Sequence, residues 1–323
     1  VSKTVLVTGA AGFIGSNIAE ALLRRGDRVV GLDNFDPYYD PALKRRNLAE
    51  LLAMLPSPGA FELVEGDIRD RELVRELCAR SGFDAVVHLA ALAGVRASVG
   101  NAARYFDVNV GGSINLLDAA VEQRVPQFVL ASTSSVHGDT QRLPFVEDDP
   151  CDRPLAPYPA SKRSCELLAY SYHRLHGLQV TATRFFTVYG PRNRPDMMAS
   201  MLIESVVHGT PVTLYERGQL KRDWTYVSDI AQGVLAAVDK PLGYEIVNLG
   251  RGEPVLLADF VEMFESLAGR KAVLRDEPMP AADMRTNFAN VDKARRLLGY
   301  EPKTSVRDGV ARLWDWYRAH GST

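Results

Sequence analysis

Tyr158 and Lys162 stand four residues apart in "YPASK", a spacing that puts both side chains on one face of a helix. An ammonium beside a phenol favours the phenolate, so the pair is a candidate general base. Upstream, "STSSVHG" offers the hydroxyls of Thr133, Ser134 and Ser135, which can share a proton with that phenolate. A tyrosine base, a lysine that tunes it and a hydroxyl partner can take a proton from an alcohol while hydride leaves its carbon. Such a site needs a hydride acceptor beside it.

Gly9, Gly12 and Gly15 of "TGAAGFIG", with Phe13 and Ile14 between the last two, lie between a run that reads as a strand and one that reads as a helix. Glycines so placed permit a tight turn, let the backbone approach a pyrophosphate, and leave a helix N-terminus facing the anion. The next strand ends at Asp33, followed by Asn34. A carboxylate there accepts hydrogen bonds from the adenosine ribose and repels a 2′-phosphate; with no arginine beside it, NAD is expected rather than NADP. Asp67 and Ile68, in "EGDIRD" after a further strand, fall where a carboxylate either meets the adenine amino group or sits on a solvated turn.

The elements that must position these groups alternate. "KTVLVTG", "DRVVGLD", "FDAVVHLA", "PQFVLAST" and "LQVTATRFF" read as strands; "FIGSNIAEALLRRG", "RELVRELCARSG", "SINLLDAAVEQRV" and "SKRSCELLAYSYHRLHG" read as helices. Continuous apolar strands alternating with helices imply an α/β fold, a Rossmann-type doubly wound parallel sheet covered on both faces. Beyond about residue 188 the rhythm loosens into short strands such as "PVTLY", "YEIVNLG" and "KAVLRDE" among helices such as "LADFVEMFESLAG". The expected division is therefore 1–187 for NAD and 188–323 for a smaller, mainly substrate-binding α/β region.

Composition narrows the function classes. A net charge of -2 and a pI of about 6.4 argue against a nucleic-acid footprint. No run reaches the roughly 18 apolar residues of a membrane span, and "VSKTVLVTGA" lacks the pattern of a secretory leader, so a cytoplasmic protein is expected. Cys78, Cys151 and Cys165 show no metal-ligand spacing, and neither a disulfide framework nor a metal site is expected.

"TGAAGFIG", "DNFDPYYDPALKRRNL", "HLAALAGVR", "YPASK", "RDWTYVSDI" and "DKARRLLGY" together resemble the extended short-chain dehydrogenase/reductase superfamily, in its nucleotide-sugar epimerase and dehydratase branches. The resemblance spans nearly the whole chain. It implies a bound NAD with Leu89, Ala90, Ala91 and Asn109 among its contacts, a UDP-sugar substrate, Arg222 on the diphosphate with Arg96 and Arg285 assisting, and a homodimer built from helices near 101–122 and 158–175. Arg285 is the weaker match, because "PAADMR" departs from the usual Pro-Gly-Asp pattern. The 4,6-dehydratases carry Asp-Glu where Ser134 and Ser135 stand, and UDP-glucuronate decarboxylases carry Glu in place of Ser135; both chemistries lack their carboxyl groups here. His137 replaces a tyrosine as a packing variant, and Leu92 replaces a polar residue near the cofactor.

"DNFDPYYD" and "RFFTVYGPRNRPDM" are most similar to the UDP-glucuronate 4-epimerase branch. Thr187 stands where galactose-type epimerases carry asparagine, and with Arg194 it is expected near a carboxylate at the sugar C5. Arg192 is either a second ligand or a surface group, and Arg184 has a structural role. The alternatives are a 4-epimerase for UDP-glucose or UDP-N-acetylhexosamine, a UDP-glucuronate decarboxylase, and a non-catalytic NAD-sensing protein.

Overall fold

The computed structural model describes residues 2–54 and 59–321. Strands β1 (Thr4–Thr8), β2 (Arg28–Asp33), β3 (Phe61–Glu65), β4 (Ala85–His88), β5 (Gln127–Thr133) and β6 (Val180–Phe185) follow one another through helical crossovers. After them come β7 (Thr187–Tyr189), β8 (Val212–Tyr215), β9 (Lys221–Tyr226), β10 (Tyr244–Leu249), β11 (Pro254–Leu256), β12 (Leu274–Glu277) and β13 (Thr286–Asn287). The main sheet has seven parallel strands in the order β3-β2-β1-β4-β5-β6-β10.

Alternation along each strand divides its side chains between two cores. Val5 and Val7 of β1 pack with Ile18 and Leu22 of the helix Phe13–Arg25 and with Ile230 and Val234 of the helix Val227–Asp239. Leu6, between them, faces the other way, toward Leu77, Leu116 and Ala169 of the helices Arg71–Ser81, Gly112–Glu122 and Pro157–His176. The doubly wound architecture is the one expected. The boundary at 187/188 is crossed, however: β10 comes from the later region and completes the sheet beside β6. Its "YEIVNL" carries too few local signals to distinguish a seventh sheet strand from a strand of a separate layer.

A third core around Tyr189, Trp224 and Phe260 supports the later region. Trp224 and Phe260 stack at 3.7 Å, which anchors β9 while β7, β11 and β13 pair alongside it. One large ion pair is wholly enclosed by the fold. Glu166 lies in the helix Pro157–His176 and binds Arg184 of β6 through two hydrogen bonds, at 2.9 and 3.0 Å. It also accepts from Ser132 Oγ of β5 at 2.6 Å. Arg184 thus has the structural role expected of it.

Candidate active site

The C-terminal ends of β1, β2, β4, β5 and β6 open into a cavity of about 330 Å³. Gly9, Gly12, Phe13, Ile14 and Gly15 form one wall. Gly9 has φ +71°, and a Cβ on Gly15 would overlap the Gly9 carbonyl oxygen, so the turn admits no side chain at either position. Gly12 begins the helix with no side-chain cap, which leaves first-turn N–H groups available to an anion. Asp33 lines the same wall; its two oxygens accept from Ala11 N at 3.0 Å and Phe35 N at 2.9 Å and retain lone pairs for a ribose. These residues fit the pyrophosphate and ribose of a dinucleotide.

Leu89, Ala90 and Ala91 line the cavity from the end of β4. They are held there because Thr8 Oγ1 accepts from Leu89 N and Ala90 N, while His88 bridges Thr8 Oγ1 and Ser113 Oγ at 2.8 and 2.9 Å. Asn109 stands one layer back. Its side-chain amide donates to the Leu92 carbonyl and to Ser161 Oγ and accepts from Leu92 N, so it braces the wall and does not form it. It is not itself among the lining residues, though its neighbours Leu92 and Val108 are. Asn34, Asp67 and Ile68 do reach the cavity or its rim, but Asp67 accepts two bonds from the Arg69 side chain and one each from Arg69 N and Asn34 Nδ2. The Arg69 pairing holds its pKa down at about 2. These bonds orient the Asp67 carboxylate at the cavity lining, beside Asn34 and Ile68.

Tyr158 and Lys162 meet the cavity together, from the first turns of the helix Pro157–His176. Lys162 Nζ donates to the Ala131 carbonyl at 2.9 Å. Thr133 Oγ1 accepts from Ser135 N at 3.2 Å, and its hydroxyl favours the ionised form of Tyr158. Burial raises the Tyr158 pKa; the Thr133 hydrogen bond and the Arg194 guanidinium oppose that rise. The spacing in "YPASK" points only to Lys162 as the tuning cation, whereas the guanidinium that acts on Tyr158 is that of Arg194, 36 residues after the tyrosine.

Thr187 and Arg194 line the same cavity as Tyr158. Ser134 and Ser135 do not line it: Ser134 Oγ accepts from Asn287 Nδ2 at 3.0 Å, and Ser135 contributes its backbone to Thr133. Arg192 is buried elsewhere, paired with Glu20 at 2.9 Å and Glu50 at 3.0 Å, so it is neither a surface group nor a cavity ligand. Arg96 stands two residues beyond the cavity-lining Gly94 and donates to Tyr215 Oη at 2.7 Å. Arg222 donates to Asp283 at 2.6 Å. Burial lowers its pKa, Asp283 opposes that, and the neighbouring charge of Arg96 adds to the lowering. Arg285 is mostly exposed, 3.8 Å from Glu216.

His137 packs as expected, stacked on Phe145 at 4.4 Å with its ring nitrogens near Cys151 Sγ and Arg184 Nη1. Lys44 was missed. It lines the cavity 3.9 Å from Asp33, inside a helix, Pro41–Ala53, that the sequence reading did not identify. Its signals were Asp40, whose side chain caps the helix by accepting from Ala42 N, and Pro41 in the first turn.

Residues 5–250 match the NAD dependent epimerase/dehydratase family. The chain belongs to that family. The family is NAD dependent, and the cavity lined by the glycine turn and Asp33 has the form such a cofactor needs. The chain is 42% identical over 312 residues to a UDP-glucuronate 4-epimerase of Thermodesulfobacterium geofontis, covering 96% of this chain and 95% of the relative. Its fold superposes with a TM-score of 0.90 on the UDP-glucuronic acid 4-epimerase of Bacillus cereus in complex with UDP-glucuronic acid and NAD, at 33% identity over 98% of this chain and 99% of the other. A UDP-glucose 4-epimerase from Thermotoga maritima, solved with UDP-glucose, gives a TM-score of 0.88 at 28% identity, with coverage of 98% and 99%.

Proposed function

We propose that this epimerase-family chain interconverts UDP-glucuronate and UDP-galacturonate. The observation that supports the reading is that a guanidinium, Arg194, and a hydroxyl, Thr187, line the same cavity as Tyr158 and Thr133. A carboxylate on C5 of the sugar matches that pair when C4 faces the phenol.

NAD, when bound, supplies the reversible acceptor for the C4 hydride. Tyr158 as phenolate takes the proton of the C4 hydroxyl, and the Thr133 hydroxyl, turned by the N–H of Ser135, donates to the phenolate oxygen. Lys162 keeps positive charge beneath the site. Arg222 and Arg96 hold the diphosphate while the 4-keto sugar turns about that linkage, and Tyr158 returns its proton to the oxygen presented from the other face. Arg194 and Thr187 keep the carboxylate ionised and solvated by protein, which raises the barrier to its departure from the β-keto acid.

In this reading residues 1–187, completed by β10, hold NAD, and 188–323 hold most of the UDP-sugar contacts. The homodimer is assigned to the helices near 101–122 and 158–175, which leave Phe106, Leu167 and Tyr170 exposed. Among the described residues no helix is long and apolar enough to cross a membrane, consistent with a cytoplasmic enzyme. A UDP-glucose 4-epimerase is the second reading, favoured by the ion pair that already occupies one edge of Arg194. Incubating the purified, NAD-loaded protein with each sugar and separating the products by anion exchange decides between them. UDP-galacturonate from UDP-glucuronate is expected; UDP-galactose formation with UDP-glucuronate left untouched overturns the first reading.

A further inference from the structure

Arg194 does not meet the cavity as a free cation. Its Nε and Nη2 donate to the two carboxylate oxygens of Asp196, both at 2.9 Å. Tyr38 Oη donates to Asp196 Oδ2 at 3.3 Å, and the Tyr38 ring lies 5.5 Å from the guanidinium. Arg194 and Tyr38 line the cavity. Asp196 stands outside that lining, with its side chain 40% exposed.

We propose that Asp196 is a positioning residue that acts through Arg194 and sets how strictly the site distinguishes an acidic sugar from a neutral one. The inference rests on the reading of Arg194 as partner of the sugar carboxylate. A guanidinium has five N–H donors on a planar fork. Asp196 uses the Nε edge, which fixes the plane and leaves the Nη1 side and the outer Nη2 hydrogen for a ligand. Geometry and charge then act in opposite directions. The fixed fork suits a carboxylate, but the negative charge of Asp196 beside it weakens the attraction. A neutral sugar, by contrast, can enter without stranding an unpaired cation, because Arg194 keeps its partner. A lone arginine at this position would impose a far steeper preference for the acid.

The test uses NAD-loaded Tyr158→Phe protein, in which binding is read without turnover. Calorimetric titration gives Kd for UDP-glucuronate and for UDP-glucose, with and without Asp196→Asn; Asp196→Ser repeats the charge removal in a smaller side chain. The ratio of the UDP-glucose Kd to the UDP-glucuronate Kd is expected to rise about three- to tenfold, the effect of one partly screened charge next to a ligand charge. The gain should shrink as salt is raised from about 0.05 M to about 0.5 M. Tyr38→Phe loosens the same triad without changing its charge and should move the ratio by less than about twofold.

A ratio unchanged or lowered by both Asp196 variants overturns the proposal, as does a Tyr38→Phe effect as large as theirs. Arg194→Ala separates the two levels of the argument. If it leaves the ratio unchanged, the assignment of Arg194 to the sugar carboxylate fails and this inference fails with it. If it abolishes the preference while the Asp196 variants do nothing, the role given to Asp196 alone is wrong.

Discussion

Tyr158 is pulled two ways: burial favours the neutral phenol, and Thr133 and Arg194 favour the phenolate. Replacing it with phenylalanine keeps the packing against Tyr105, whose ring meets it edge-on at 6.3 Å, and removes only the proton carrier. Tyr158→Phe should lower kcat by about 10² to 10⁴, the usual loss with a general base, and leave NAD affinity intact. A variant with near-normal kcat in a coupled product assay would exclude Tyr158 as the base. Asp33 and Lys44 form a second opposed pair, 3.9 Å apart beside the ribose wall. Asp33→Ala should weaken NAD binding and improve NADP binding, because the repelling carboxylate disappears while the Lys44 ammonium, still held by the Asp36 carbonyl, stays to meet the 2′-phosphate. Fluorescence titration with both dinucleotides checks this, and unchanged affinities would place the ribose elsewhere.

Three elements are joined by the Glu166 carboxylate, which binds β5 through Ser132, β6 through Arg184 and its own helix through Arg163. Burial alone would raise its pKa, but the Arg184 hydrogen bonds and charge outweigh burial and hold it down. Glu166→Gln leaves a buried guanidinium without its counter-charge and should destabilise the fold by about 3 to 5 kcal/mol in urea unfolding. A loss below about 1 kcal/mol would show that the pair is dispensable. This junction also marks what could be read from sequence. Glycine spacing, Asp33, and Tyr158 with Lys162 are local patterns, and the structure brings all of them to one cavity. The partnerships of Arg192 with Glu20 and Glu50 depend on which surfaces the fold presses together. A string of residue types contains an arginine and several acids but not which acid it will reach. Lys44 escaped for a related reason: its helix starts with a good cap but has a weakly apolar face, so periodicity does not reveal it.

At the scale of the whole molecule, two buried histidines tie stability to acidity. Burial, with the Lys162 charge adding to it, lowers the His88 pKa from 6.5 to about 3, and burial with Arg184 does the same for His137. Both rings stay neutral in the folded protein while the unfolded chain protonates them near 6.5. The unfolded state therefore binds more protons as pH falls below 6.5, and stability is lost progressively until about pH 3. Between pH 7 and pH 5 the two should together cost roughly 4 kcal/mol of unfolding free energy. Equal unfolding free energies at those two pH values, or a His88 ring that titrates near 6.5 by NMR, would contradict the burial assigned to them. The seventh strand gives the molecule a further property, one of timing. Because β10 closes the sheet against β6, a growing chain holds β6 as an unpaired edge until Leu249 has left the ribosome. For most of that interval, until Asp239 has emerged, the sheet face shared by Phe13–Arg25 and Val227–Asp239 lacks its second helix. Exposed edges and faces recruit other chains, so slow translation past β6 lengthens the period in which a nascent chain needs a chaperone. The strands whose ends carry the dinucleotide wall, β1, β2, β4, β5 and β6, all leave the ribosome before that edge is closed.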